Sequence, residues 1–276
     1  MTEFLDIDGG RIAYDIEGEG PLVVLGHGLA DRREAFRFLA PMLVAAGYRV
    51  ANVDLRGHGE SSTGWASYTR TDTAGDFIAL LRHLGLPAIF IGHSFSGGAA
   101  NIIAAEAPEL ITAIVEIDPG TRTPKLKLGD ITGRFVRGIS LIIGAMVFKS
   151  TGIWKRYLRV AYPGVRSADF EAYISGLAAN LDEPGRMAAA AKMGFASAAD
   201  AEAKLPEIQC PALVVMGTLD PDFPNPAAEA QGIVDAMPAG LGSVVMIEGA
   251  GHYPHSQFPQ EVADAILPFL AKHASA

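Results

Sequence analysis

A serine lies between two segments of different character in the first half of the chain. Residues 88–91 form an apolar run typical of a buried strand, and residues 99–105 are rich in small residues, as in a closely packed helix. Gly92 and Ser96 lie two residues to either side of Ser94, so small residues flank the turn. Such a turn lifts the hydroxyl clear of the sheet and places a helix N-terminus beside it. The pattern predicts an exposed nucleophilic serine, although Ser96 stands where glycine is usual.

Two further polar residues could supply the chemistry that this serine needs. A serine hydroxyl is a poor nucleophile at neutral pH until a base takes its proton, and the base needs an acid to fix its tautomer. Ser94, Asp220 and His252 each follow a strand-like run, in that order along the chain. Because parallel strands end at one edge of a sheet, we expect the three side chains to meet there. Asp222 and Asp118 stay open as alternative acids, the first two residues beyond Asp220 and the second after the preceding strand.

Length and composition predict a single soluble domain of the α/β type, with or without an insertion. The chain has 276 residues, of which 49% are hydrophobic and 19% charged. Its net charge of −9, without a clustered basic face, argues against a nucleic-acid partner. The one cysteine, Cys210, cannot form an internal disulfide. The N-terminus lacks a signal-peptide pattern, and the longest apolar stretch, residues 139–148, is shorter than the roughly 20 residues of a membrane helix. We therefore expect a cytoplasmic protein without a membrane partner.

Strand-like and helical segments alternate along most of the chain. The predicted strands are two joined at Gly9-Gly10 within residues 3–17, then 22–25, 48–53, 88–91, 111–117, 212–217 and 243–247. The predicted helices of this part are 33–46, 71–84, 226–236 and 260–272, besides the one after Ser94. The glycines at 26 and 28 begin a dinucleotide fingerprint, but Asp31 stands at its third glycine position. No phosphate-binding loop pattern occurs either, so no nucleotide cofactor is expected.

The alternation stops between residues 120 and 205, where no clear strand pattern occurs. Aromatic and aliphatic residues recur there at helical spacing, and glycines and prolines divide the segment into several pieces. An all-helical insertion after the sixth strand would lie at the carboxyl edge of the sheet, above Ser94. The sequence thus predicts a core domain made of residues 1–119 and 206–276 and a helical cap, or lid, made of residues 120–205.

Several short motifs are spread along the chain. They are Gly26-His27-Gly28-Leu29, Asp54-x-Arg56-Gly57-His58-Gly59-x-Ser61, the turn around Ser94, Gly217-x-x-Asp220-x-x-x-Pro224 and Gly251-His252. Together they resemble the α/β-hydrolase superfamily, in the branch with a helical cap after the sixth strand, and the resemblance extends along nearly the whole chain. It implies a mostly parallel twisted sheet with helices on both faces and an all-helical cap.

The resemblance also implies roles for individual residues. Ser94 would be the nucleophile, His252 the general base and then acid, and Asp220 the residue that orients His252. The backbone N–H groups of Leu29 and Phe95 would form the oxyanion hole, and their side chains would shape the pocket floor. The residues expected to bind substrate are Leu29, Phe95, Met146 and Trp154.

The remaining histidines receive no catalytic role. His27 and His58 belong to loop motifs that resemble structural hydrogen-bonding elements. His255 lacks the Gly-Ala-Gly turn that precedes His252, so a surface position is expected for it. No cluster of cysteine and histidine has zinc spacing, and no metal is expected. The other three histidines carry no functional signal: His83, His93 and His273.

The serine at the turn favours one reaction type within the superfamily. Relatives that resemble haloalkane dehalogenases and epoxide hydrolases carry aspartate there, whereas serine suits attack on a carbonyl carbon and an acyl-enzyme. We expect hydrolysis of a small-to-medium apolar carboxylic ester without a cofactor. The same residues would also serve perhydrolysis, acyl transfer, lactone opening or C–C bond hydrolysis. A protein that senses a small ligand without turnover stays open as a third class.

Overall fold

A mixed, mostly parallel sheet organises the protein. The computed structural model describes residues 1–123 and 127–274. Within those ranges the strands are β1 (Glu3–Ile7), β2 (Gly10–Glu17), β3 (Leu22–Gly26), β4 (Arg49–Val53), β5 (Ala88–His93), β6 (Ile111–Ile117), β7 (Ala212–Gly217) and β8 (Gly242–Ile247). Their order in the sheet is β1-β2-β4-β3-β5-β6-β7-β8. The pairs β1–β2 and β2–β4 are antiparallel, and all other neighbours are parallel.

The parallel strands bring the candidate residues to one edge. Every residue of β3, β5 and β7 is buried, and their sequences are apolar on both faces except for His93 at the end of β5. In the register, His93 is paired with Ile117, and Gly217 with Ile247. The loops that carry Ser94 and the acids therefore leave the sheet side by side.

Helices cover both faces of the sheet, as predicted. The helices outside the insertion are α1 (Leu39–Ala45), α2 (Arg70–Leu84), α3 (Phe95–Glu106), α9 (Pro226–Val234), α10 (Pro254–Gln257) and α11 (Pro259–His273). One apolar cluster joins α2, α3 and α9 to the sheet, and a second joins α1 and α11 to its other face. This two-faced packing confirms the α/β fold with helices on both sides.

A helical insertion follows β6, also as predicted. Its helices are α4 (Gly133–Phe148), α5 (Thr151–Ala161), α6 (Phe170–Leu181), α7 (Arg186–Gly194) and α8 (Ala199–Lys204). The helices α4 to α7 share an apolar cluster of their own, which Ala30 and Tyr253 join from the sheet edge. Helix α8 instead packs against α3, and Ala201 belongs to the cluster under that helix. Residues 124–126 of the predicted cap and 275–276 of the predicted core lie outside the described residues.

The predicted helix over residues 33–46 is interrupted. The chain forms a 3₁₀ turn over Arg33–Phe36, and α1 then begins at Leu39. Pro41 explains the break, because it has no N–H to donate to the carbonyl of residue 37. The α-helical ladder therefore begins only where proline falls in the first turn.

A buried carboxyl group lies within β6. Glu116 is fully buried, and neither of its carboxyl oxygens has a hydrogen-bond partner among the described residues. Burial raises the pKa of Glu116 to about 8. Between the ordinary carboxyl pKa and that value, the unfolded chain has lost this proton and the folded protein has kept it. This group therefore lowers stability as pH rises across that window.

Glu116→Gln should stabilise the protein more at pH 8 than at pH 5. Glutamine keeps the shape and removes the ionisation, so the gain in unfolding free energy should grow by a few kcal/mol between the two pH values. Urea denaturation at both pH values measures this difference. Glu109→Gln is the control, because Glu109 is exposed and its substitution should change the unfolding free energy by the same small amount at both pH values. A pH-independent offset for the Glu116 variant would contradict the burial argument.

Candidate active site

Ser94 lies on the sharp turn that joins β5 to α3. Its backbone has φ 51° and ψ −109°, which a residue with a side chain rarely adopts. A Cβ at position 92 would lie 2.4 Å from the carbonyl oxygen of Ser96, so only glycine fits there. Helix α3 begins at Phe95, and its N-terminus therefore lies at the serine.

Ser96, the departure from the usual glycine, has a hydrogen-bonding role. Its hydroxyl donates to the carbonyl oxygen of His27 at 2.6 Å. A Cβ at Gly26 would lie 2.8 Å from the same hydroxyl oxygen. The serine thus ties the end of β3 to the first turn of α3, and its side chain is completely buried.

The loop after β3 lies directly against Ser94. A Cβ at Gly28 would be 3.0 Å from the Ser94 Cβ and 2.8 Å from His93 Nδ1. Glycine is therefore required for the loop to approach the serine so closely. Leu29 follows Gly28, which brings the backbone of both predicted oxyanion residues, Leu29 and Phe95, next to Ser94.

Two buried histidines hold this loop in place. His27 donates from Nδ1 to the Gly28 carbonyl and accepts the Leu55 N–H at Nε2. His58 donates from Nδ1 to a backbone carbonyl and accepts the Ala30 N–H at Nε2, 3.2 Å away. Burial lowers the pKa of His58 to about 4 and that of His27 well below its usual range, so both are neutral. Their contacts are those of the structural elements that the sequence predicts.

His252 lies between Ser94 and Asp220. Its Nδ1 is 2.8 Å from Asp220 Oδ2, and its Nε2 is 3.0 Å from Ser94 Oγ. Because a carboxylate only accepts, Nδ1 carries the proton, which leaves Nε2 of the neutral ring to accept from the serine hydroxyl. Such a chain of contacts can move a proton from a serine to an imidazole that the carboxylate keeps oriented. The structure therefore brings together the three residues that the sequence selects.

Asp118 lies at the same sheet edge but does not form a hydrogen bond with His252 Nδ1, which is bonded to Asp220. Its Oδ1 accepts the Gly217 N–H at 2.9 Å. Burial and then the charge of Asp220 raise the pKa of Asp118 well above its usual range. The side chain is thus a neighbour of the acid in a hydrogen-bonded turn.

Asp222 lies on the opposite side of the imidazole from Asp220. Its Oδ2 is 3.4 Å from His252 Nε2, the nitrogen that faces Ser94. The Tyr157 hydroxyl of α5 lies 2.9 Å from both Asp222 carboxylate oxygens and donates to the group. The two acids therefore bracket the ring, and the insertion contributes a donor to the second one.

The two carboxylates control the protonation of His252. Burial alone lowers the pKa of this imidazole, but the charges of Asp220 and then Asp222 outweigh it and raise the pKa to about 9. Burial also raises the pKa of Asp222, to about 6, so this group is largely ionised at neutral pH. The two carboxylates therefore favour the protonated form of the ring.

The expected surface position of His255 is wrong. The side chain is fully buried, with its ring 4.8 Å from that of Phe36 and 4.6 Å from that of His93. Sequence reasoning also missed His93, whose Nε2 donates to the His252 carbonyl oxygen at 2.7 Å. Its position directly before the serine is the one available signal. His93 and His255 thus form the packing layer behind His252.

Comparison with known proteins places the chain in a family. Residues 23–265 match the pattern of the Alpha/beta hydrolase family. The chain belongs to the alpha/beta hydrolase family. This assignment confirms the resemblance carried by the short motifs, and it covers most of the chain.

Individual relatives of this alpha/beta hydrolase differ in length and in the activity for which they are named. It is 26% identical over 280 residues to 2-(acetamidomethylene)succinate hydrolase of Mesorhizobium japonicum, a match of 96% of this chain and 94% of that protein. It is 26% identical over 170 residues to bifunctional epoxide hydrolase 2 of Rattus norvegicus, which covers 60% of this chain but 28% of the longer rat protein. An esterase structure from Exiguobacterium antarcticum superimposes with a TM-score of 0.83 at 20% identity, over 98% of this chain and all of that one. The last likeness shows the fold.

The four residues predicted to bind substrate make different contacts in this hydrolase. A Cβ at Gly194 would lie 3.0 Å from Met146 Cγ and 3.3 Å from Leu29 Cδ2, so these two side chains converge on α7. Trp154 donates from its indole nitrogen to the Ala30 carbonyl at 2.9 Å. Phe95 is buried, and the Arg70 guanidinium carbon lies 4.4 Å from its ring centroid. Met146 and Trp154 therefore fix the insertion to the loop that carries Leu29.

One group of side chains could in principle coordinate a metal. Within the described residues, Asp118, Asp220 and His252 bring one potential ligand atom each within 4.8 Å of the others. Hydrogen bonds within the protein already engage all three groups, since Asp220 accepts from His252 Nδ1 and Asp118 accepts from the Gly217 N–H. Across the same ranges, no helix combines the length and apolar character needed to cross a membrane.

Proposed function

We propose that this alpha/beta hydrolase is a serine esterase that cleaves small-to-medium apolar carboxylic esters. The observation that carries the proposal is the continuous chain from Ser94 Oγ through both nitrogens of His252 to Asp220, at 3.0 and 2.8 Å. Ser94 is the nucleophile, His252 the base and acid, and Asp220 the residue that fixes the ring.

The first half of the reaction forms an acyl-enzyme. Ser94 Oγ attacks the ester carbonyl carbon while its proton passes to His252 Nε2. The carbonyl oxygen becomes an anion, which the backbone N–H groups of Leu29 and Phe95 stabilise by roughly 3 kcal/mol each. The C–O bond to the alcohol then breaks, and the imidazolium returns its proton to the leaving oxygen.

The second half releases the acid. Water attacks the acyl carbon and gives a proton to His252 Nε2. The bond to Ser94 Oγ then breaks, and the proton returns to the serine. These steps use only the named groups and water.

The nucleophile and the wall residues support an ester as the substrate. An aspartate nucleophile suits opening of an epoxide, whereas a serine suits acyl transfer, so Ser94 argues against the activity in the rat relative's name. Met146 and Leu29 place apolar side chains next to the serine loop, with Met146 itself buried. The esterase from Exiguobacterium antarcticum shares the fold and is named for this type of activity.

The test combines a covalent probe with a substrate series. The protein is incubated with a fluorophosphonate and weighed intact, and p-nitrophenyl esters from acetate to octanoate are assayed in parallel. We expect one adduct, located on Ser94, and turnover whose chain-length profile reports the size of the pocket. An adduct without ester turnover would replace the esterase proposal with another acyl acceptor or a ligand sensor. Absence of both would show that the serine is not activated.

A further inference from the structure

A groove lined by arginines lies between two helices of the insertion, apart from the serine. It has a volume of about 480 Å³ and is formed by the first turn of α4 and the C-terminal end of α5. Its polar lining consists of Arg134, Arg137, Arg159 and Arg166, with Val160 and Pro163 as apolar wall. Four arginines thus line one cavity.

The groove belongs to a strongly basic part of an acidic chain. Residues 131–166 contain seven lysines and arginines and no aspartate or glutamate, although the whole chain has 22 basic and 31 acidic residues. A segment of this length without an acid in such a chain concentrates positive charge on α4 and α5. The sequence alone does not show that four of these charges converge.

The protein itself neutralises little of this charge. Within the described part of the chain, Arg159 alone of the four groove arginines forms a salt bridge, from its Nη2 to Glu171 Oε2 at 2.7 Å. Among the described residues, Arg166 donates to the backbone carbonyls of Arg159 and Tyr162, and its guanidinium carbon lies 5.0 Å from the centroid of the Phe170 ring. The Nε of Arg134 is buried and, among the described residues, has no hydrogen-bond acceptor. The groove therefore offers unused donors and an excess of positive charge.

We propose that this groove binds a phosphate group of a small molecule or of a lipid headgroup. Guanidinium groups pair with phosphate oxygens in a planar, two-bond geometry, and a phosphate can serve several of them at once. A single carboxylate, with one charge and two oxygens, matches the donors less well. A bound phosphate also relieves the repulsion between α4 and α5. The binding site is independent of the proposed hydrolysis.

The lining of the groove does not include Ser94, Asp220 or His252. Pro163 packs against the backbone at Gly251, where a Cβ would lie 2.3 Å from the proline ring. Gly138 of α4 packs against Pro221, because a Cβ added at Gly138 would lie 2.9 Å from the Pro221 Cβ. Both helices of the groove thus pack against the loops that carry Asp220 and His252. Binding can be measured without any turnover.

The test uses pyrophosphate and two matched double variants. Isothermal titration at low salt should give binding to the wild-type protein, and Arg134→Gln with Arg137→Gln should weaken it by at least about tenfold. Lys149→Gln with Arg156→Gln removes the same charge from the same segment outside the groove and should change the affinity by less than about threefold. No binding, or equal losses in both variants, would overturn the proposal.

Two further arms distinguish the ligand classes. If the protein co-sediments with phosphatidic acid vesicles and pyrophosphate abolishes this association, a lipid headgroup is supported as the source of the phosphate. Binding of pyrophosphate without vesicle association supports a soluble phosphate ester. Citrate that binds as tightly as pyrophosphate overturns the preference for phosphate. Each arm is read by binding alone, so an inactive protein would not affect its interpretation.

Discussion

Ser94→Ala is expected to lower kcat for ester hydrolysis by at least about 10⁴-fold while the fold is retained. The proposed mechanism needs the Ser94 oxygen for the acyl-enzyme, and no other described hydroxyl is hydrogen-bonded to His252 Nε2. The substitution removes one oxygen from a partly exposed side chain, so the core is unaffected. Steady-state kinetics with p-nitrophenyl esters, together with urea denaturation, measures both parts of this prediction.

Ser96→Ala is the matched control for that experiment. It removes a hydroxyl two residues away, which is bonded to the His27 carbonyl instead of to an imidazole. The Ser96 variant should still react to completion with the fluorophosphonate, whereas the Ser94 variant should not react. Substantial turnover by the Ser94 variant would assign the chemistry to a different group.

The fold could be predicted because most of its strands can be identified from the apolar pattern of a few consecutive residues. The strands around residues 22–25 and 212–217 are apolar on both faces, as buried parallel strands usually are. The glycines that end helices, such as Gly85 with φ 73°, also marked their boundaries. The break before α1 was missed because helical periodicity continued across it, and the missing N–H of Pro41 outweighed that pattern.

The grouping of Ser94, Asp220 and His252 could be predicted because a parallel sheet collects the ends of its strands. The sequence does not encode which side of the imidazole each acid reaches. Asp222 lies two residues from Asp220 yet contacts the other nitrogen, because the backbone turns between them and Tyr157 holds the second carboxylate. The burial of His255 was missed for a similar reason, since it depends on packing against the distant Phe36.

The bracketing of His252 by two acids has a direct consequence for the pH dependence of catalysis. Only the neutral imidazole can accept the serine proton, and the two acids raise its pKa to about 9. The kcat/KM of the free enzyme should therefore rise with pH through about 9 and not near the ordinary histidine value. His93 and His255 do not contribute, because burial keeps their pKa values far below this range. The other ionisable groups around the ring are Asp31, Asp118, Tyr157 and Tyr253.

Asp222→Asn should move this profile to lower pH by about one to two units, because the imidazolium loses one of two anionic neighbours. Asparagine can still accept the Tyr157 hydroxyl, so the contact with α5 is kept. Measurement of kcat/KM from pH 5 to 10 gives the shift, with the exposed Asp235→Asn as a control of equal charge. A residue with a purely structural role would lower the plateau without moving the midpoint. An unchanged midpoint in Asp222→Asn would therefore show that Asp220 alone sets the basicity of His252. A midpoint displaced to lower pH would show that the Asp222 carboxylate also raises the pKa of the general base.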